Sequence, residues 1–451
     1  MDGKDTIFAL SSGPPPAAIA VVRISGPRAR FGLEALIGRL PQARRASLAR
    51  FRDPATGAVL DEGLAIWFPG PHSETGEDMV ELHLHGGRAV IAAVLAALGG
   101  LEGFRPAGPG EFTRRALENG RMDLTGVEGL ADLIFAETEA QRGQAMRQLQ
   151  GALGARVEEW RKRLIESMAL VEARIDFSDE ADVPENLLAP ALVTARALRE
   201  EISGALADDR RGERLRDGLT IAIAGPPNAG KSSLLNRIAR REAAIVSPYP
   251  GTTRDVIEVH LDLHGYPATL VDTAGIREPK DPVEQEGVRR ALARARAADL
   301  VLWVVDASVE EHAAQLPPNG DSGVVWLVRN KLDLLAPQSV TAAHAGSGLR
   351  GFAVSARTGA GVDALIAALA GHAGQVFVAG EPSIVTRARH RTALGETAEA
   401  LERAVEQGAC GQEDLVAEEL RLAARRLGRI TGKVDVEDIL DVIFRDFCIG
   451  K

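Results

Sequence analysis

Cysteine is almost absent from this chain: Cys410 and Cys448 are the two among 451 residues. That scarcity excludes a disulfide framework and a cysteine-rich zinc site, and it points to a reducing, cytoplasmic setting. Aromatic residues are scarce too, at 4%, although a hydrophobic content of 45% suffices for folded cores. No apolar run approaches the roughly 18 residues of a membrane span, so no span is expected. The opening MDGKDTIFALSS lacks a basic region followed by a hydrophobic stretch, so a secretory signal is not expected either. Nor is positive charge in excess. Lys and Arg number 53 against 63 Asp and Glu, a formal net charge of −10. An acidic chain makes a poor nucleic-acid coat. Any RNA contact must come from a local basic patch or from a partner. Basic stretches at 44–52, 147–163 and 387–391 are candidates, though such runs are usually solvated faces.

The strongest positive signal is the run GPPNAGKSS, Gly225 to Ser233. An apolar strand, 219–224, precedes it and an amphipathic helix opens at Leu234. Strand, GxxxxGK[ST] and helix in that order define a phosphate-binding loop. Gly225 and Gly230 permit backbone that a Cβ would block, so successive N–H groups face one anion. Asn228, Ala229, Gly230 and Ser233 contribute to that cradle. Lys231 adds a point charge at the β- and γ-phosphates, and Ser232 offers a hydroxyl to Mg²⁺. The helix N-terminus supplies the positive end of its dipole.

The length predicts two to four domains. Residues 1–118 read as mixed α and β, with strands at 5–10, 19–24, 64–68 and 79–85 and a helix at 89–98. Residues 119–216 read as helical. Apolar residues from Met146 to Ile175 step by three or four along one stripe, with a kink or break expected near Gly143, Gly151 and Gly154. Residues 217–376 alternate strands and helices, as in a mostly parallel sheet. The stretch 257–263 alternates apolar and polar residues, which predicts a half-buried strand near a sheet edge. Residues 377–451 are helical again. An α/β module therefore interrupts one helical domain, an insertion that is easy where chain ends lie close.

Four further elements follow the loop in the order of a GTPase. Gly251-Thr252-Thr253-Arg254-Asp255 can complete Mg²⁺ coordination, with Thr253 the first choice and Thr252 the second. Asp272-Thr273-Ala274-Gly275 ends a strand, where Asp272 can hold Mg²⁺ through water and the Gly275 N–H can sense the γ-phosphate. Asn330-Lys331-Leu332-Asp333 ends another. The Asp333 carboxylate can accept from guanine N1–H and N2–H₂, a donor pair that adenine lacks, which favours GTP over ATP. Ser355-Ala356 offers a backbone N–H to guanine O6. Five ordered elements argue for a GTPase and against a P-loop kinase. Ile276 follows the DTAG run where small signalling GTPases carry Gln, and its side chain cannot orient water. Another group must do so, or hydrolysis must be slow. Asn228 invites a second reading, as a ligand for a monovalent cation beside the phosphates; a plain turn residue is the alternative.

Outside the module, DTIFALSS, IAVVRISGP, ETGEDMVELHLHGG, RPAGPGEFTRRALENGRMDLTGVEGLADLI, VEARIDFSDE and the terminal FCIGK complete a pattern that runs nearly end to end. It resembles the MnmE (TrmE) family of tRNA-modification GTPases. The resemblance implies a folate-binding, dimerising N-terminal α+β domain, a helical domain, and an inserted Ras-like GTPase domain. It implies addition of a carboxymethylaminomethyl-type group to C5 of the wobble uridine, position 34, of certain tRNAs. It further implies a flavoprotein partner, MnmG (GidA), and a one-carbon unit from 5,10-methylene-tetrahydrofolate or a formyl-tetrahydrofolate analogue. The GTPase domains of the homodimer would close on each other when K⁺ is bound.

Residue by residue, Asn228, Ser247, Tyr249 and Thr252 match the family's potassium loop, and Ser232 and Thr253 its Mg²⁺ ligands. Glu284 matches the glutamate that positions the attacking water, with Arg277 in the same loop. Arg23, Glu81, Arg121 and Lys451 match folate-contacting positions, and their charges suit a pterin and a glutamate tail. Cys448 falls in the terminal motif, where a reactive thiol and a buried small hydrophobe are the alternatives. This chain departs at Gly13-Pro-Pro-Pro-Ala-Ala18, a stiffer loop than the family's Gly/Arg-rich segment. It departs again at Leu84, between His83 and His85, which share a strand face. Two other functions stay open on the sequence: a GTPase switch in ribosome assembly without modification chemistry, and an N-terminal module that only dimerises.

Overall fold

In the computed structural model the described residues are 5–176, 187–208, 210–240, 258–272, 298–309, 324–335, 350–378 and 382–434, with 440, 443, 444, 447 and 450 near the chain's end. They fall into two compact units. The first comprises 1–131, 148–196 and 399–451; the second comprises 132–147 and 197–398.

The first unit is built on six strands: β1 (Thr6–Leu10), β2 (Ala17–Ser25), β3 (Ser47–Arg52), β4 (Val59–Phe68), β5 (Met79–Gly86) and β6 (Phe104–Pro106). Their order is β3-β4-β5-β2-β1-β6, antiparallel except for the β1–β6 edge pair. Period-two patterning decides which face is covered. In β5, Val80, Leu82 and Leu84 are buried, while Glu81, His83 and His85 lie on the other face. The buried face packs with Leu33 and Leu36 of α1 (Ala29–Ile37) and Val94 and Leu98 of α2 (Arg88–Gly99). The strand β3 falls inside the basic stretch 44–52. Its Arg50 pairs across the sheet with Glu62 at 2.8 Å, so one of those charges is spoken for.

Helices follow: α3 (Glu111–Glu118), α4 (Leu124–Ile134), α5 (Glu139–Leu149), α6 (Ala152–Asp176) and α7 (Leu188–Leu206). The single stripe expected from Met146 to Ile175 is cut at Gly151, whose φ of +87° ends one helix before the next begins. Beyond the α/β module come α11 (Ala388–Ala409) and α12 (Glu413–Thr431), preceded by α8 (Arg211–Asp217), α9 (Lys231–Ala239) and α10 (Val362–Val378). Within the first unit α6 packs on α12, far apart in the chain. Buried Leu153, Val157, Trp160 and Leu164 line the face of α6, and Val416, Leu420 and Leu427 that of α12. Phe444 and Phe447 join Leu124 and Val127 in a further apolar cluster.

The second unit holds β7 (Leu219–Ala224), β8 (Glu258–Leu263), β9 (Tyr266–Asp272), β10 (Leu300–Asp306), β11 (Val324–Asn330) and β12 (Arg350–Ala353). The order is β12-β11-β10-β7-β9-β8, parallel throughout except β8, which runs antiparallel at the edge. The edge position is the one its alternation predicts. The chain is therefore multidomain, with a mostly parallel P-loop sheet set between helical segments and an α+β domain ahead of them. Among the described residues, no helix is long and apolar enough to cross a membrane.

This unit also takes in the chain on either side of the module, and charge explains why. The Arg391 guanidinium donates to Asp208 Oδ1 at 2.6 Å, to Glu213 Oε1 at 2.7 Å and to Leu206 O at 2.9 Å. Burial by itself would raise the Asp208 carboxyl, but bonds from Ser383 and Arg391 outweigh it and hold its pKa below the usual value. The incoming and outgoing strands of chain are thus laced together. Removing Arg391 leaves two mostly buried carboxylates facing each other. Arg391→Ala should cost about 2–3 kcal/mol, less than a fully buried pair because the arginine is partly exposed. Urea unfolding at neutral pH checks this. Because the Asp208 pKa is depressed, its contribution exists above the unfolded carboxylate pKa and fades as pH falls through the folded one. The difference between variant and wild type should shrink on acidification.

Candidate functional site: the nucleotide loop and the sheet-face cluster

The loop after β7 has the backbone that its sequence demands. Gly225 sits at φ +139°, and a Cβ there would lie 2.0 Å from Val304 O. Asn228 at φ +61° and Gly230 at φ +86° are also left-handed, and Gly230 caps α9. Lys231 is 8% exposed, and its Nζ reaches back to Gly225 O at 2.9 Å and Pro226 O at 2.8 Å. Burial lowers its pKa, with Asp272 opposing. Ser232 Oγ donates to Asp272 Oδ2 at 2.7 Å, so the hydroxyl and the carboxylate expected around Mg²⁺ do converge. Asn228 is exposed at the loop surface.

The cluster expected to meet the base is tied together by Asn330. Its Nδ2 donates to Ala229 O at 3.0 Å in the phosphate loop, and its Oδ1 accepts from Ala356 N at 2.9 Å. A backbone N–H of Ser355-Ala356 is expected at guanine O6; of these, the Ala356 N–H is engaged here by the Asn330 side chain. Ser355 Oγ donates to Asp333 Oδ1 at 2.6 Å, and this bond, ahead of burial, holds the Asp333 pKa below its usual value. Lys331, at φ +66°, donates from Nζ to Asp306 Oδ2 at 2.6 Å. Burial would raise the Asp306 carboxyl, but the bonds from Lys331 and Ser308 prevail and lower it. Thr273, Ala274, Gly275, Arg277, Glu284, Ser247, Tyr249, Thr252 and Thr253 lie outside the described residues, as do Cys448 and Lys451.

In the first unit the β2–β5 register sets Arg23 opposite Glu81. Arg23 pairs with Glu81 at 2.9 Å and with Glu74 at 2.9 Å, and lies 5.8 Å from the Phe112 ring centroid. The segment carrying Glu74 is anchored nearby. Ser25 Oγ lies 2.7 Å from Thr75 Oγ1 and donates to Glu77 Oε2 at 2.8 Å, and Arg115 pairs with Glu77 at 3.0 Å. Asn119 Nδ2 donates to Thr75 O at 2.8 Å, which brings the turn bearing exposed Arg121 beside Gly76. Gly450, one residue before Lys451, abuts the backbone of Leu10 and Ser11. The register pairs Leu10 with Val22, next to Arg23, so Gly450 lies near the strand that carries Arg23. His83 turns to Glu81 at 3.4 Å and His85 to Asp61 at 2.8 Å. Among the described residues, no three His, Cys, Asp or Glu side chains form a metal-holding group.

Comparison with known proteins decides the family. The family model described as GTP-binding protein TrmE N-terminus matches residues 6–121, and that of the MnmE helical domain matches 124–448. The tRNA modification GTPase MnmE of Rhodopseudomonas palustris (strain BisB18) is 56% identical over 452 residues, covering 99% of both chains. That of Parvibaculum lavamentivorans is 59% identical over 451 residues, 99% of this chain and 100% of its own. The chain belongs to the MnmE family. Among solved structures, the G domain of the T. maritima FeoB iron transporter is similar at 22% identity, with a TM-score of 0.23, over 34% of this chain and 98% of its own.

Asp306, Glu74, Glu77 and Arg115 escape sequence reasoning. Asp306 had a signal, a carboxylate ending the apolar run 300–305. The other three fall within the blocks that carry the resemblance, but the Arg115–Glu77 pair spans 38 residues and the Arg23–Glu74 pair joins separate segments, so pattern alone does not show these contacts.

Proposed function

We propose that this protein is a GTP hydrolase that modifies tRNA at the wobble uridine, working with a flavoprotein. The observation that carries the reading is likeness to MnmE proteins over the whole chain, joined to a phosphate loop whose Lys231, Ser232 and Asp272 converge. GTP and Mg²⁺ follow from the GTPase module. In this reading Ser232 and Thr253 hold Mg²⁺, and the module lies within 217–376 between the helical segments 119–216 and 377–451. Glu284 positions the attacking water, assisted by Arg277, which supplies what Ile276 cannot. Asn228, with Ser247, Tyr249 and Thr252, holds K⁺ beside the phosphates, where a cation offsets the charge developing in the transition state. Cation binding closes two modules across a homodimer, and hydrolysis reopens them. The exposed side chain of Asn228 on a left-handed loop residue supports that role.

The N-terminal domain, 1–118, binds a reduced folate as the one-carbon donor through Arg23, Glu81, Arg121 and Lys451. Its support is the convergence of Arg23 and Glu81 on one register row, with Arg121 held beside Gly76. Arg23 then exchanges Glu74 for a ligand carboxylate.

Steady-state GTP hydrolysis in K⁺ against Na⁺, at equal ionic strength, tests the cation mechanism. The expected result is at least tenfold faster turnover in K⁺, with most of that gain lost in Asn228→Ala. Equal, slow rates in both salts would remove the cation and the closure it drives, while leaving GTP hydrolysis standing.

A further inference from the structure

Helix α9 begins at the phosphate end of the nucleotide site, yet its sixth residue after Lys231 grips the other end. Arg237 Nε donates to Ala356 O at 2.7 Å, and its Nη2 donates to Arg357 O. The 355–360 turn is closed on itself: Ser355 N donates to Ala360 O at 2.9 Å, Gly359 N to Ser355 O at 2.8 Å and Thr358 N to Ser355 Oγ at 3.1 Å. Asn330 holds the Ala356 N–H. Two successive carbonyls are therefore fixed by one guanidinium, and the amide ahead of them by one carboxamide.

A planar trans peptide points its C=O and the following N–H in opposite directions. With the Ala356 carbonyl drawn onto α9, the Arg357 N–H must point away from α9. A planar guanidinium with donors in a rigid fork fixes that plane; a lysine ammonium, whose three donors rotate freely about its stem, could reach both carbonyls without fixing it. Six residues of helix rise about 9 Å. One rigid element thus carries the phosphate-binding Lys231 and the brace for the loop proposed to meet the base.

We propose that Arg237 is a positioning residue for guanine recognition. It holds the 355–358 backbone so that an N–H meets the O6 of a guanine nucleotide. This rests on the reading that the Ser355-Ala356 loop faces the base. Arg237 touches neither base nor phosphate and acts through two carbonyls.

The test compares GDP with 6-thio-GDP, which keeps the N1–H and the 2-amino group but replaces O6 with the weaker acceptor sulfur. Dissociation constants are measured on the full chain for wild type, Arg237→Lys and Arg237→Ala. Wild type is expected to prefer GDP. Arg237→Ala should bind GDP about tenfold more weakly, lose most of its preference over 6-thio-GDP, and leave Arg237→Lys in between. A variant that keeps the wild-type preference overturns the role of Arg237. So does an equal loss for both ligands, because general damage to the fold would not erase discrimination at one atom. If Arg237→Ala does not fold, Arg237→Lys and Arg237→Gln carry the same comparison with one fork removed. A wild type that does not distinguish the two ligands overturns the base-facing reading of the loop itself, a result separable from failure at Arg237.

Discussion

Lys231→Ala should lower kcat/KM for GTP by about a thousandfold while leaving the nucleotide-free protein at least as stable. The catalytic loss follows from the position of the ammonium. It is folded back among the loop carbonyls of Gly225 and Pro226, where β- and γ-phosphates would be cradled. A preorganised donor aimed at developing charge is worth roughly 10²–10³ in rate, and a full positive charge lies at the upper end. Stability runs the other way. Burial depresses the Lys231 pKa, with Asp272 recovering part of the loss. A lysine whose folded pKa lies below its unfolded value costs stability at every pH below the folded pKa. That cost disappears only above the unfolded pKa. Removing the charge removes the cost, although two hydrogen bonds go with it. Thermal unfolding without nucleotide, beside hydrolysis rates, checks both halves. A melting temperature lower by several degrees would make Lys231 a structural tie of the loop as well as a phosphate ligand.

The division between what was legible and what was not follows sequence distance. The strand-loop-helix at 219–239 is local, and each glycine in it answers to a steric demand, so pattern alone placed it. The edge strand β8 was legible because alternating Val259, Leu261 and Leu263 can bury one face only. The break at Gly151 was legible as a weakness in a stripe that is otherwise continuous. Strand β3 was not, because Arg50 and Arg52 disguise a two-sided strand as a basic run. Nothing in the residues near Arg23 announces Glu81, 58 positions away, until the β2–β5 register sets them side by side. Asn330 is a similar case. Its motif predicted a base contact, whereas its side chain also ties together Ala229 and Ala356, 101 residues back and 26 ahead. A motif names the chemistry of a residue; the tertiary bonds that aim it belong to the fold.

Asp333→Asn should invert base preference, weakening GDP by about a thousandfold and favouring the xanthine nucleotide XDP. Guanine presents two donors, N1–H and N2–H₂, and a carboxylate accepts both. An asparagine in its place turns one acceptor into a donor and sets it against a donor of the base. Xanthine carries an oxygen where guanine has the amine, so the same asparagine then matches. Sites that hydrogen-bond a ligand group reject the mismatched analogue by roughly 10⁴ or more when buried; the expected loss is smaller because Asp333 is reached by solvent. The loop should survive the change, since Asn Oδ1 can still accept from Ser355 Oγ as Asp333 Oδ1 does. The depressed Asp333 pKa adds a second signature. Its carboxylate stays ionised to a lower pH than an unperturbed aspartate would, so the wild-type preference for GDP over XDP should be lost at a lower pH than that of a free carboxylate. Competition binding with both nucleotides, across pH, reads the inversion and the pH of that loss together. If the variant loses both ligands equally, Asp333 holds the Ser355 turn and some other group reads the base.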